Sequence, residues 1–276
     1  MITEFVKGWA VRYQNINWSR SLWRLAAPVG VIVILLGLWQ RYTVTFAVNP
    51  LILPGPFHIA EVTVRNWSNL QPALVATLTE TAIGFGWALL FGVVSAGLLD
   101  LLPLARRGFY PLLVVSQSIP LIALAPLLQL WFGTGLTAKV IVIVLSCFFP
   151  ITVAGLDGLR ATDPELLRLY RSFGASQWRI FLSVRLPNAL PAFYSGVRIA
   201  VSYSIIAAIF SEYIGADEGL GVYIRNSQHA FRVDLVIGAI GVTALASIGL
   251  FLFVMGIERL TIPWFYAERQ SKEIGN

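Results

Sequence analysis

The amino-acid sequence predicts an all-α polytopic membrane protein with about six transmembrane helices. Three observations carry that expectation. Hydrophobic residues make up 57% of the chain and charged residues only 12%, where a soluble domain carries about 25% charged. The apolar residues fall in long runs: segments 81–99, 140–156 and 235–257 contain no Asp, Glu, Lys or Arg, and 108–138 is one uncharged stretch. A helix needs about 20 apolar residues to cross the hydrocarbon core. The basic residues sit between these runs, so the net charge of +6 forms no continuous basic face, and nucleic acid is excluded as a partner.

The elements follow in order. Residues 1–21 hold Trp9, Trp18, Lys7, Arg12 and Arg20, without a short apolar core and small-residue cleavage site. They read as a retained cytoplasmic tail on the membrane surface. The first span is expected at 22–42, with Arg24 and Arg41 at its ends. An outer loop follows, with Asn49-Pro50, Pro54-Gly55-Pro56 and a short helix near 59–67. Further spans are expected at 74–99, 110–132, 137–156, 192–214 and 235–257, the third and fourth divided at Gly133-Thr134-Gly135. Residues 22–265 read as one membrane domain and 266–276 as a C-terminal cytoplasmic tail. With both termini cytoplasmic, fourteen Lys and Arg lie inside and five outside, Lys139 among the five; the opposite orientation inverts this positive-inside bias.

The segment 160–191 carries the functional argument. Asp163 suits an N-cap, Pro164 the first helical position, and Glu165 the positive end of the helix dipole. Leu166, Leu167, Leu169, Tyr170 and Phe173 give apolar contacts, Arg168 and Arg171 flank them, and Gly174 suits the C-terminal cap. A second short helix is expected at 176–184, stopping at Leu186-Pro187. Two helices joined at a glycine either link two spans or form a rigid element that presses on another protein.

Within the spans, Glu80, Arg198 and Glu212 are costly charges that line a solute path or pair between helices. Gln117 and Gln129 are weaker candidates of the same kind. Asp217, Glu218 and Gly219 form a glycine-hinged outer turn. Cys147 lies in an apolar run and reads as a packing residue; one cysteine cannot form an intrachain disulfide. No GxxxxGK[ST] loop is present, so a nucleotide site, if ATP drives this protein, belongs to another chain. No nucleophile–histidine arrangement is supported, and the chain reads as lacking catalytic, cofactor and metal sites of its own.

Gly174-Ala175-Ser176, Trp178, Arg185-Leu186-Pro187 and Ala189-Leu190-Pro191 resemble the signature loop of ABC importer permeases. So do Trp131-Phe132-Gly133, Phe148-Phe149-Pro150, Arg198-Ile199-Ala200 and Ile214-Gly215-Ala216 with Gly219-Leu220-Gly221. Together, over about 74–265, they are similar to the nitrate/sulfonate/taurine-type, binding-protein-dependent, type I family. The resemblance implies an inner-membrane permease with both termini cytoplasmic. Its partners would be a second permease copy, two cytoplasmic ATPases carrying ATP and Mg, and an external solute-binding protein. Asp163, Glu165, Arg168, Leu169, Tyr170, Phe173, Gly174 and Ala175 would dock the ATPase, and Asp217, Glu218 and Gly219 would meet the binding protein. One position departs: six residues before Gly174 the family has glutamate, and this chain has Arg168, with Leu169 and Tyr170 in place of two alanines. Glu165 lies one turn earlier. Stretches 171–175, 184–187, 204–207 and 212–221 are most similar to permeases for thiamine-precursor pyrimidines or riboflavin; nitrate, taurine, alkanesulfonate and bicarbonate stay open. The rival class is an ATP-independent secondary transporter, which calls for denser intramembrane acids or an internal repeat.

Overall fold

A computed structural model describes residues 18–267. The N-terminal tail up to 17, with Trp9, and the C-terminal residues from 268 lie outside the described residues. The described residues are helical, and they contain no strand. Among the described residues, five helices are long and apolar enough to cross a membrane. The chain divides into two compact units, up to Glu61 and from Val62 onward.

In the first unit, α1 (Trp18–Thr45) begins inside the expected tail and covers the first expected span. The chain then folds back on its end. The Phe57 amide donates to Gln40 Oε1 at 3.2 Å. A Cβ on Gly55 would stand 2.9 Å from Gln40 and Thr43 side-chain oxygens, so a larger residue would push this return off α1. The short helix expected near 59–67 is α2 (Pro56–Arg65).

In the second unit, α3 (Trp67–Leu101), α6 (Leu136–Arg160) and α9 (Leu186–Gly215) form the core. Their direction is read from contacts. Glu80 meets Lys139, and Gly84, Gly92 and Ala96 meet Ile143, Ile151 and Gly155. Each pair is 59 positions apart, so α3 and α6 run parallel and in register. On α9 the order reverses: Ala189 meets Gly158, Gly196 meets Pro150, and Cys147 donates to the Ala200 carbonyl at 3.2 Å. Small residues set the spacing. Gly84, Ala88, Gly92 and Ala96 recur every fourth residue on the buried face of α3, and a Cβ on Gly84 or Gly92 would stand 2.7 or 2.6 Å from an isoleucine side chain. Between apolar helices in lipid, association rests on such close packing more than on apolar burial. Cys147 is a buried packing residue, as expected.

The third expected span differs. It is not one helix over 110–132 but two, α4 (Pro103–Ser116) and α5 (Leu121–Phe132). Pro120 breaks them: it has no N–H to donate, its ring disfavours a helical Ile119, and it holds an extended ψ of 111° as the N-cap of α5. The helix expected to stop at Leu186-Pro187 does not stop either. After α7 (Pro164–Ser172) and the short α8 (Gln177–Ile180), a π turn at Phe181–Arg185 leads straight into α9. Residues Gln177–Gly215 form a single 39-residue helical run. A proline ring clashes with the carbonyl four residues back; here that is Ser183. The wider π turn, in which the Leu186 amide donates to the Phe181 carbonyl, absorbs the clash without a break.

The run ends at a turn, followed by α10 (Leu220–His229) and the last long helix, α11 (Val233–Thr261). Leu70, Leu220, Ile224 and Ala239 pack α10 between α3 and α11. Asp234 closes the start of α11: Arg232 grips its carboxylate through Nε at 3.0 Å and Nη2 at 2.8 Å, and the Leu235 amide donates to it.

Candidate functional site

Polar side chains gather at both ends of the α3–α6–α9 core and once between. At one end, Lys139 stands in the first turns of α6 and donates to Glu80 Oε1 of α3 at 2.5 Å. Both side chains are nearly sealed from solvent, at 5% and 7% exposure. Lys139, counted with the outer basic residues at the start of the expected span 137–156, is therefore a buried partner within the bundle. An unpaired ammonium in an apolar interior costs several kcal/mol, roughly the penalty of removing one member of a buried pair.

Glu212, fully buried on α9, adjoins this pair. Thr77 of α3 donates to its Oε1 at 2.6 Å, and the Gly221 amide donates to its Oε2 at 2.7 Å. Thr77 in turn accepts from the Leu220 amide at 2.8 Å. The carboxylate of Glu212 thus holds the start of α10 onto α3. Gly219 makes this possible. Its φ is +117°, and a Cβ on it would stand 2.2 Å from the Glu212 carboxyl carbon. Gln129 of α5 extends the cluster, donating to the Ser211 carbonyl at 2.6 Å. Glu80 Oε2 and the hydroxyls of Thr81 and Ser211 are buried here without a hydrogen-bond partner. Asp217 and Glu218 are exposed on the turn above it.

Midway along α9, Arg198 pairs with Glu258 of α11. Beyond α11, Tyr266 sits against Glu258, and burial together with that carboxylate raises the phenol's pKa. Ser195, Arg198, Ser202 and Tyr203 line an open cavity of about 320 Å³ with Ile199 and Phe251. Of the five intramembrane candidates, Glu80, Gln129 and Glu212 come together, and Arg198 lies separately. Gln117 joins neither group; it is exposed at the C-terminal cap of α4.

The other end carries the two-helix loop. Lys139 and Arg160 lie about 31 Å apart along α6 at 1.5 Å per residue. Asp163 caps α7 by accepting from the Glu165 amide at 2.8 Å, and Pro164 takes the first helical position. Gly174, at φ +73°, follows the C-cap Phe173, and its amide returns to the Arg171 carbonyl at 3.0 Å. Ser176 then starts α8 by accepting from the Arg179 amide. At the loop's base, Arg185 donates to Asp100 Oδ1 at 2.7 Å and to the Leu159 carbonyl at 3.1 Å, tying the loop to α3 and α6. Large apolar side chains stand on its surface among charged ones: Phe173 is 80%, Trp178 68% and Leu169 50% exposed. Arg168 is exposed and has no acidic partner among the described residues. Tyr170 and Ala175 are half-buried.

Thr77, Glu258 and Asp100 were not singled out from sequence; Lys139 was named only as an outer basic residue and Arg185 only as part of the loop motif. Lys139 and Glu80 gave a usable signal, since each is a lone charge of opposite sign inside an apolar run. The others sit at run boundaries, where a polar residue needs no explanation. No three His, Cys, Asp or Glu side chains among the described residues are grouped as for a metal ion.

Comparison with known proteins matches this architecture. Residues 88–265 match the family described as "Binding-protein-dependent transport system inner membrane component". A "Probable ABC transporter permease protein" of Haemophilus influenzae is 39% identical over 83% of this chain and 93% of its own length. The formylaminopyrimidine transport permease protein ThiX of Halalkalibacterium halodurans is 35% identical over 86% and 95%. An inward-facing MetNI methionine ABC transporter structure has the same fold, with a TM-score of 0.58 at 20% identity, covering 67% of this chain and 92% of that one. With its long apolar helices, its paired intramembrane charges and this match across most of its length, the chain belongs to the multi-pass, binding-protein-dependent permeases of ABC transporters.

Proposed function

We propose that this chain forms one half of a solute path, paired with a second copy, driven by two cytoplasmic ABC ATPases and supplied by an external binding protein. The loop end faces the cytoplasm, as do the tails 1–21 and 266–276; the excess of basic residues there supports this orientation. The observation that carries the reading is the continuity of one element. The exposed loop runs through the π turn into α9 without a break, and the far end of α9 holds the Gly219 turn through Glu212. A push on the loop is thereby delivered to the outer turn by a helix about 58 Å long.

In this reading Asp163 and Gly174 fix the shape of α7. Glu165, Arg168, Leu169 and Phe173 meet the ATPase groove, and Tyr170 and Ala175 seat the helix on the bundle. Arg198, with Ser195 and Ser202, lines the path, because these residues share one open cavity. Glu80, Lys139 and Glu212 hold the outer gate shut, with Asp217, Glu218 and Gly219 above it as the binding-protein contact. Transport proceeds by alternating access: loop movement reorients α9, and the Glu212 contacts open. ATP and Mg act on the partner ATPase.

The solute is a small nutrient of the pyrimidine thiamine-precursor type; the 35% identity to a formylaminopyrimidine permease supports that class. The test is reconstitution in liposomes with the cognate ATPase and binding protein. Uptake that needs ATP inside and binding protein outside is the expected result, with hydrolysis stimulated by the loaded binding protein. Uptake by the chain alone, without ATP, would sink the reading in favour of a secondary transporter. Binding of formylaminopyrimidine against riboflavin, taurine and nitrate to the isolated binding protein decides the solute.

A further inference from the structure

A cavity of about 310 Å³ lies at the loop end of the bundle, and its lining is strongly basic. Arg106, Arg160, Arg171 and Arg185 face it, with Gln177 and a single acid, Asp100. Arg185 already engages Asp100 at 2.7 Å. Arg106, Arg160 and Arg171 have no acidic partner among the described residues. These arginines come from α4, α6 and α7, so the tertiary fold gathers them.

Two simpler explanations account for part of this. Arg160 and Arg171 stand in last turns, where the negative end of the helix dipole favours a cation. Arg106 stands near the start of α4, which has no acid in its first turn and no side-chain cap. There the dipole opposes it. A general excess of basic residues on one side of a membrane asks only that they be exposed on that side; it does not ask that four converge on one cavity. An anion held between the guanidinium groups would relieve the conflict at Arg106.

Position and chemistry select the kind of anion. The cavity lies where α3 and α6 end their apolar runs and α4 begins, which in the membrane reading is the level of the lipid headgroups. Guanidinium forks match the oxygens of a phosphate group in paired, charge-assisted hydrogen bonds. Basic pockets between helices at this level suit anionic headgroups. We infer that the cavity is a phosphate-binding site, formed by Arg106, Arg160 and Arg171 around the Arg185–Asp100 pair, which holds the phosphate of an anionic lipid or of a soluble phosphate compound. This requires the membrane reading but not the transport reading, so the two can fail separately.

The test uses the full chain in vesicles of phosphatidylcholine with and without phosphatidylglycerol. Retained lipid is counted by native mass spectrometry, and inorganic phosphate is titrated as competitor. Wild-type chain is expected to retain phosphatidylglycerol over phosphatidylcholine. The Arg106→Gln/Arg160→Gln variant should lose that preference by about 30-fold, two arginines' contribution. The Arg107→Gln/Arg179→Gln variant, with the same charge loss outside the cavity, should keep it. Displacement by inorganic phosphate, or a rise in the wild-type melting temperature with phosphate alone, assigns the site to a soluble phosphate. Equal loss in both double variants overturns the inference, as does a wild-type chain indifferent to phosphatidylglycerol and to phosphate. The wild-type measurements need no variant to fold.

Discussion

Lys139 and Glu80 show how a charge survives in an apolar bundle: each is the other's solvent. Removing one strands the other. Lys139→Met should lower stability by about 3–5 kcal/mol, whereas Glu80→Leu with Lys139→Met should recover most of the loss, because a buried pair is often worth little more than a well-packed apolar one. Denaturation in detergent, followed by tryptophan fluorescence, measures both. Arg168 poses a different question. It is exposed, with no acidic partner among the described residues, close to exposed Phe173 and Leu169, at the position where the loop signature it resembles calls for glutamate. The ATPase groove that fits this loop is expected to place an acid opposite it. Arg168→Glu should then weaken ATPase association by about tenfold, roughly 1.4 kcal/mol from like charges at an interface. Titration of the purified ATPase checks it; unchanged or tighter binding would show that Glu165, not Arg168, sets the charge of the contact.

At the scale of helices, small residues decide how near α3, α6 and α9 lie. Gly196 is the most demanding of them. A Cβ there would meet the Pro150 carbonyl oxygen at 2.5 Å and Ala154 Cβ at 2.5 Å, and a backbone oxygen cannot rotate away. Gly196→Ala should cost about 1–3 kcal/mol by overpacking, read as a fall in melting temperature. Gly86→Ala, with open space at the same atom, should cost nothing and add helix propensity. The long runs of apolar residues made five of the six expected spans legible, since hydropathy alone demands them. The division of the third at Pro120 and the passage of α9 through Pro187 were not. Both depend on whether a neighbouring turn can widen around a proline, and a one-dimensional pattern does not contain that.

At the scale of the molecule, the two ends can be separated by mutation. Gly174→Asp forces a side chain into a left-handed position at the joint of α7 and α8, which costs about 1–2 kcal/mol locally and tilts the exposed face of the loop. It should abolish co-purification with the ATPase while the chain still inserts. Gly219→Ala puts a methyl group where the Glu212 carboxylate lies. It should leave ATPase association intact and abolish stimulation of hydrolysis by the binding protein. Loss of ATPase association in the Gly219→Ala variant, or loss of binding-protein docking in Gly174→Asp, would break the assignment of one end to each partner.

Composition and hydropathy by themselves determined a helical membrane protein, the approximate extent of most spans and the capped helix at Asp163–Gly174. These are local matters: twenty apolar residues, an N-cap, a proline and a glycine act on their own neighbourhood. The family resemblance was legible too, because the loop motif is contiguous. The tertiary structure alone decided which charges meet. Glu80 finds Lys139 only through the 59-position register of two parallel helices, and Glu212 reaches Thr77 and Gly221 only because Gly219 leaves room. The four arginines of the basic cavity are scattered from position 106 to 185. Pairing of this kind is a property of packing, and packing is set by side-chain volumes on facing helices that no single segment records.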